Sequence, residues 1–217
     1  MDEFERTFDC LPETLGDLSF ARVRDWKKQQ DGRKAVAFFP VYAPAELVHA
    51  AGMLPVLLSG AGDRLDIQHA DSRFGSFICS IIKTTMEMAM TGHLEPFDAL
   101  FFSSICDSAR NLCFVIKRNF PQMYVDFIHL PHSTSDSSVD FLTQEYRRII
   151  TQLERLAGAP IQNEALRRSI ALYNEQRRLI RSLYALRAQS PHLLRAWESY
   201  VLVRSGYVMP VEEHIAL

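Results

Sequence analysis

Residues 76–111 read S-F-I-C-S-I-I-K-T-T-M-E-M-A-M-T-G-H-L-E-P-F-D-A-L-F-F-S-S-I-C-D-S-A-R-N. Cys79 sits near the start of an apolar helical run. Cys106 directly follows Ala99–Ile105, an apolar run with the length and composition of a buried strand. A thiol just past the C-terminal end of a parallel strand lies where open α/β sheets place their ligands. The two cysteines are 27 positions apart, with one helix and one strand between them, about the size of a single βαβ step. Such a step can bring two distant cysteines to one edge of a sheet.

The flanking sequence extends the same alternation. Lys34–Pro40 (K-A-V-A-F-F-P) is continuously apolar, as in a strand buried on both faces. Pro44 suits the first turn of a helix over Ala45–Ala51, which Gly52 closes. Leu54–Ser59 is a second strand, Phe74–Met90 a longer helix and Ala99–Ser103 a third strand. A helix from about Asp107 to Arg118 follows, capped by Asp107 or Ser108, and Tyr124–Leu130 is the last strand. Upstream, Leu11–Lys28 reads as one helix. The expectation is an α/β fold, a mostly parallel, Rossmann-like open sheet over residues 1–133.

After a serine-rich linker the chain turns helical over residues 134–217, with helices at Val139–Leu156, Glu164–Ala188 and about His192–Arg204. The middle helix carries two apolar stripes, Leu166/Ile170/Tyr173/Ile180/Tyr184 and Leu172/Leu179/Leu183/Leu186, and is expected to pack on two sides. Arg147–Arg187 holds nine arginines against three glutamates. A solvated face is the plain reading, and a basic wall for a phosphate-bearing ligand or partner the sharper one. Pro210 and two acids open a further helix within two turns of Leu217, which suggests a truncated chain.

Composition sets bounds. The 217 residues carry a net charge of -2, with 47% apolar residues. This is an ordinary globular composition without the basic footprint of a nucleic-acid binder. No apolar run reaches membrane-spanning length, and Met1–Cys10 lacks a signal-peptide pattern, so a cytoplasmic protein is expected. The four cysteines, Cys10, Cys79, Cys106 and Cys113, form no C-x-x-C pair. Each is a buried small hydrophobe, a metal ligand or a nucleophile.

Glu46 and His49, three apart on the short helix after the first strand, are candidate acid/base groups or holders of a thioester carbonyl. A structural role is the competing reading for His49. Asp107 and Asn111 flank the second cysteine, while Lys83 and Arg110 suit either phosphate or solvent. Gly60-x-Gly62 falls short of a dinucleotide fingerprint.

Several strings carry a resemblance in order: F-F-P-V-Y-A-P-A-E-L-V-H-A-A-G-M-L-P-V, I-C-S-I-I-K-T-T-M-E-M-A-M-T-G, C-D-S-A-R-N-L, A-L-Y-N-E-Q-R-R-L-I-R-S-L-Y-A-L-R-A and M-P-V-E-E-H. From about Leu18 onward the chain resembles the 2-hydroxyacyl-CoA dehydratase/benzoyl-CoA reductase family, most closely the C-type (gamma) subunits of its ATP-dependent benzoyl-CoA reductases. The resemblance implies a longer subunit with two α/β domains and a [4Fe-4S] cluster on three cysteines. Two match Cys79 and Cys106, and the third belongs to a second α/β domain absent from this sequence. It also implies a homologous partner subunit, an ATP-hydrolysing electron activator and an acyl-CoA substrate, benzoyl-CoA, which receives two electrons in its ring to give a cyclic dienoyl-CoA. The alternatives are a dehydratase subunit, which is a lyase, and a non-catalytic pairing subunit. Apolar neighbours around both cysteines (Phe77, Ile78, Ile81, Ile82; Phe101, Phe102, Ile105) lead to the expectation of a largely dry site.

Overall fold

The computed structural model describes residues 3–217. In chain order it contains α1 (Glu3–Gly16), α2 (Ala21–Lys28), β1 (Ala35–Phe39), α3 (Ala45–Ala50), β2 (Leu54–Leu57), α4 (Ser80–Met90), β3 (Ala99–Ser103), α5 (Asp107–Asn119), β4 (Tyr124–Ile128), α6 (Asp136–Ala157), α7 (Asn163–Gln189), α8 (Ala196–Ser205) and α9 (Val211–Ala216). The strands form one sheet in the order β2-β1-β3-β4, all parallel. This bears out the expected open α/β fold followed by a helical segment.

Alternate residues of each strand face opposite ways, so an apolar run supplies both faces at once. Ala35, Ala37 and Phe39 join Leu54, Val56, Leu100, Phe102, Val125 and Phe127 on one face, covered by α4 and α5 through Ile82, Met86, Leu112 and Ile116. Val36, Phe38, Ala99, Phe101 and Ile128 face the other way, against Leu47 and Val48 of α3 and Ile149 and Leu153 of α6. The helical segment therefore helps to close the sheet's core. Pro55 lacks the N–H a central strand needs, and β2 is an edge strand. The Leu57 N–H on that edge donates to the carbonyl of Tyr207 at 2.9 Å, which ties the edge to the turn between α8 and α9.

Three sequence expectations are corrected. Leu11–Lys28 is not one helix: it breaks after Gly16, where Asp17 accepts the N–H groups of Ser19 (2.8 Å) and of Ala21 (2.7 Å), the first residue of a second helix. The helix expected from Phe74 starts only at Ser80, because Phe74 turns into the core as part of a folded connection. The middle helix α7 packs on α3 and α9, but Ile170 and Tyr184 of its first stripe and Leu186 of its second are exposed, so both stripes are only partly covered within the described residues.

Candidate functional site

The β1–α3–β2 step moves one way along the sheet and the steps to β3 and β4 move the other. The order reverses between β1 and β3, and the carboxyl ends of those strands border the crevice where such sheets bind ligands. Residues 40–44 leave β1 there, and residues 104–106 leave β3.

Cys106 closes the loop after β3. It is the N-cap of α5, with φ -160° and ψ 166°, and its Sγ accepts the N–H of Ala109 at 3.4 Å. The cap was expected at Asp107 or Ser108, but the sulfur takes the role usually filled by a serine or aspartate oxygen. Asp107 points to solvent with Arg110 beside it at 3.8 Å. Helix N–H groups directed at the sulfur suit a negatively charged ligand atom.

Cys79 is the N-cap of α4, extended at φ -61° and ψ 149°, and its sulfur accepts no bond from its own helix. In a βαβ step the helix runs against the strands, so both α4 and α5 start at the carboxyl edge of the sheet. The two helices cover the same face and pack side by side. The fold thus brings both cysteines to one edge. The expectation of dryness is not met in this chain. Cys79 and Cys106 are both exposed, as are Phe77 (89%), Ile81 (46%) and Ile105 (44%). Apolar neighbours in sequence do not cover the thiols; other surfaces must do so.

Cys113 is buried on α5, and burial, reinforced by Asp126 and opposed by Lys117, pushes its thiol up to about 12. It is a protonated core residue. Cys10 lies exposed on α1, which packs on α8. Among the described residues no group of three or more His, Cys, Asp or Glu side chains could hold a metal ion. Two free thiols at helix N-caps on one edge nevertheless fit an iron–sulfur cluster as part of its ligand set, since thiolates are its usual ligands.

Glu46 and His49 separate. Glu46 pairs with Arg177 of α7 and lines two cavities at the carboxyl end of β1. One, of about 310 Å³, is bounded by Phe38, Tyr42, Leu57, Tyr173 and Tyr207. The other, about 660 Å³, lies toward Leu130, Tyr146 and Ile170. Burial, and then the charges of Glu46 and Glu212, hold the Tyr173 hydroxyl well above the usual phenol range. His49 instead lines a cavity with Lys34, Gly52 and Leu54, at the amino ends of β1 and β2. Its Nε2 meets Glu212 of α9 at 3.0 Å and its Nδ1 meets Ser169 of α7 at 2.7 Å. Since a carboxylate only accepts, Nε2 donates to Glu212, and in the neutral ring Nδ1 accepts the serine proton. His49 fastens two helices to α3.

The arginines disperse rather than forming one wall. Arg148 bonds Glu145, Asp126 and the Phe127 carbonyl, Arg178 bonds Glu175, and Arg187 bonds Ser199. Two features escaped sequence reasoning. Tyr42 holds φ +57° at the carboxyl edge with its ring 65% exposed, which is uncommon for a bulky residue. Glu87 is a buried carboxylate within an apolar helix; its only signal in the sequence is a charge between two methionines.

Comparison with known proteins fits this arrangement. Residues 40–217 match the family described as 2-hydroxyglutaryl-CoA dehydratase, D-component. Over 91% of its length the chain is 40% identical to the benzoyl-CoA reductase C-type subunit of Thauera aromatica, covering 52% of that protein. It is 33% identical to the lactoyl-CoA dehydratase beta subunit of Anaerotignum propionicum over 90% of the chain and 52% of the relative. It is 28% identical to the (R)-2-hydroxyglutaryl-CoA dehydratase beta subunit of Acidaminococcus fermentans over 87% of the chain and 50% of the relative. The chain spans about half the length of these curated relatives. With a match across most of its residues, the chain belongs to the 2-hydroxyglutaryl-CoA dehydratase D-component family.

Proposed function

We propose that this chain acts as the iron–sulfur subunit of a benzoyl-CoA reductase of the ATP-dependent type. Cys79 and Cys106 would supply two of the protein ligands to a [4Fe-4S] cluster, and a third would come from outside these residues. The observation that carries the reading is the placement of two free, exposed thiols at the heads of adjacent helices on the ligand-binding edge of the sheet. The 40% identity to a benzoyl-CoA reductase C-type subunit supports the choice of reaction.

Such a cluster, when bound, supplies a low-potential one-electron carrier. The chain's own residues hold and shield it. Cys106 and the first turn of α5 present a sulfur and N–H groups suited to negative charge, and α4 presents the second sulfur. Phe77, Ile81 and Ile105 form an apolar rim that a covering surface would dry. A homologous partner subunit would provide that cover, and a separate ATP-hydrolysing activator the electrons. We place the acyl group of benzoyl-CoA in the aromatic-lined cavity of about 310 Å³. Glu46, on its rim, is the acid/base candidate. His49, with both ring nitrogens engaged, serves to hold α7 and α9.

A dehydratase reading, in which the same edge serves a lyase, is favoured by the lactoyl-CoA and hydroxyglutaryl-CoA relatives. The deciding experiment is to assemble the complete subunits with the activator and ATP under anaerobic conditions. They are then offered benzoyl-CoA or a 2-hydroxyacyl-CoA. Consumption of benzoyl-CoA with dienoyl-CoA formation supports the reductase. Dehydration of the hydroxyacyl thioester alone replaces it with the lyase, and neither activity leaves a pairing subunit.

A further inference from the structure

The connection between β2 and α4, residues 58–79, ends on Cys79, and its regular structure is one 3-10 turn at Ala70–Ser72. A connection this long keeps one shape only if something anchors it. Apolar residues of the connection, Leu58, Ala61, Ala70 and Phe74 among them, pack into the core, and a set of polar anchors lies on α4. Thr84 Oγ1 accepts the Ala61 N–H at 3.2 Å and donates to the Ser80 carbonyl at 2.8 Å. Gly60, at φ +75°, approaches so closely that a Cβ would stand 2.5 Å from Thr84 Oγ1 and 3.2 Å from the Ile81 carbonyl. Lys83, buried, pairs with Asp71 at 2.7 Å. Glu87, 1% exposed, accepts the backbone N–H groups of His69 and Ala70, each at 2.8 Å, and His69 Nδ1–H at 2.6 Å.

These residues form a pattern. Cys79, Lys83 and Glu87 are spaced by four residues, so they lie along one stripe of the helix. The connection is draped down that stripe and delivers its last residue, the thiol, to the stripe's upper end. Burying a carboxylate on an apolar helix is costly unless its oxygens are satisfied. Among the described residues the donors all come from the connection, and none from another helix or strand. Burial alone would push the Glu87 carboxyl up. The bonds from His69, Ala70 and Gln68 outweigh it and hold the group below the usual carboxylate range, so it is a charged acceptor.

We propose that Glu87, supported by Lys83, is a positioning residue for Cys79: it fixes the 58–79 connection so that the thiol is held at the head of α4 on the same edge as Cys106. The inference rests on the reading of Cys79 as a ligand, but its test does not require iron. In the full chain, Glu87→Gln keeps the shape while turning an acceptor toward a donor. Each thiol's alkylation by iodoacetamide is followed site by site by peptide mass spectrometry. The Cys79 rate is expected to change several-fold while that of Cys106 stays the same. Equal changes at both thiols, or no change at Cys79, overturn the proposal.

Should Glu87→Gln yield no folded protein, Asp71→Ala removes the exposed partner of Lys83. Hydrogen exchange should then quicken within residues 60–79 alone, with a smaller shift in Cys79 alkylation. Unchanged exchange and rate there also overturn it. If the Cys79 rate shifts as expected but Cys79→Ser leaves the iron content of the assembled enzyme intact, the ligand reading fails while the positioning role stands.

Discussion

Replacing His49 by alanine separates a fastening role from a chemical one, and its cost can be worked from the contacts. Ser169, buried at 1% exposure, loses its partner at 2.7 Å. An unsatisfied buried hydroxyl costs about 1–3 kcal/mol. A serine on a helix can turn its proton to the carbonyl of the preceding turn, which brings the cost toward ~1 kcal/mol. Glu212 is 55% exposed, so loss of its pair is screened and amounts to roughly 0–0.5 kcal/mol. The imidazole also packs edge-on against Tyr173 at 5.9 Å, a contact whose removal costs about 1 kcal/mol. The sum is ~2–2.5 kcal/mol of unfolding free energy.

The assay is urea denaturation of the parent and His49→Ala chains by far-UV circular dichroism, with the exposed His192→Ala as control. A fall in the midpoint at unchanged slope, matching that sum, is expected. In the assembled enzyme the pH profile of the remaining activity should keep its shape. A loss below ~0.5 kcal/mol would refute the fastening argument. So would a pH profile that loses an inflection, because that would make His49 a titrating participant.

Other expectations follow from burial and charge elsewhere in the molecule. Phe102 is fully buried between β1 and the α4–α5 layer, so Phe102→Ala should cost about 3–5 kcal/mol in the same urea assay. For both Glu87 and Glu145, burial pushes the carboxyl up. The hydrogen bonds they accept outweigh it and leave each below the ordinary value of 4.5. A depressed carboxylate stabilises the fold above its unfolded pKa and loses that effect as pH falls through the folded one. The urea midpoint should therefore drop below pH 4.5, and Glu145→Gln should flatten that drop. Burial lowers the pKa of His214 from 6.5, with partial compensation from the Leu202 carbonyl. The unfolded chain then takes up the proton first, so stability should decline as pH falls below 6.5, and His214→Gln should remove that slope.

Much of the frame could be read from the chain because the signals are local. Strands buried on both faces announce themselves as apolar runs, and A-V-A-F-F and A-L-F-F-S were read within a residue or two of β1 and β3. The two cysteines could be placed at one edge because helix and strand alternation fixes which ends of the helices meet. What could not be read depended on partners distant in sequence. Phe74 continues the helical pattern of α4, yet it turns inward because Glu87, Thr84 and Lys83 capture the connection before it. His49 has the spacing of an acid/base partner for Glu46, but α7 and α9 claim both its nitrogens. The dryness of the thiols failed as a local inference because neighbours in sequence line a surface without roofing it.

The claim on which the functional account depends is that Cys79 and Cys106 present their sulfurs to one common ligand. Dibromobimane, which becomes fluorescent on bridging two nearby thiols, tests it directly in the metal-free, reduced chain. The account predicts strong fluorescence that disappears in both Cys79→Ser and Cys106→Ser and persists in Cys10→Ser and Cys113→Ser. Absence of fluorescence in the parent chain, or its survival without Cys106, would contradict it.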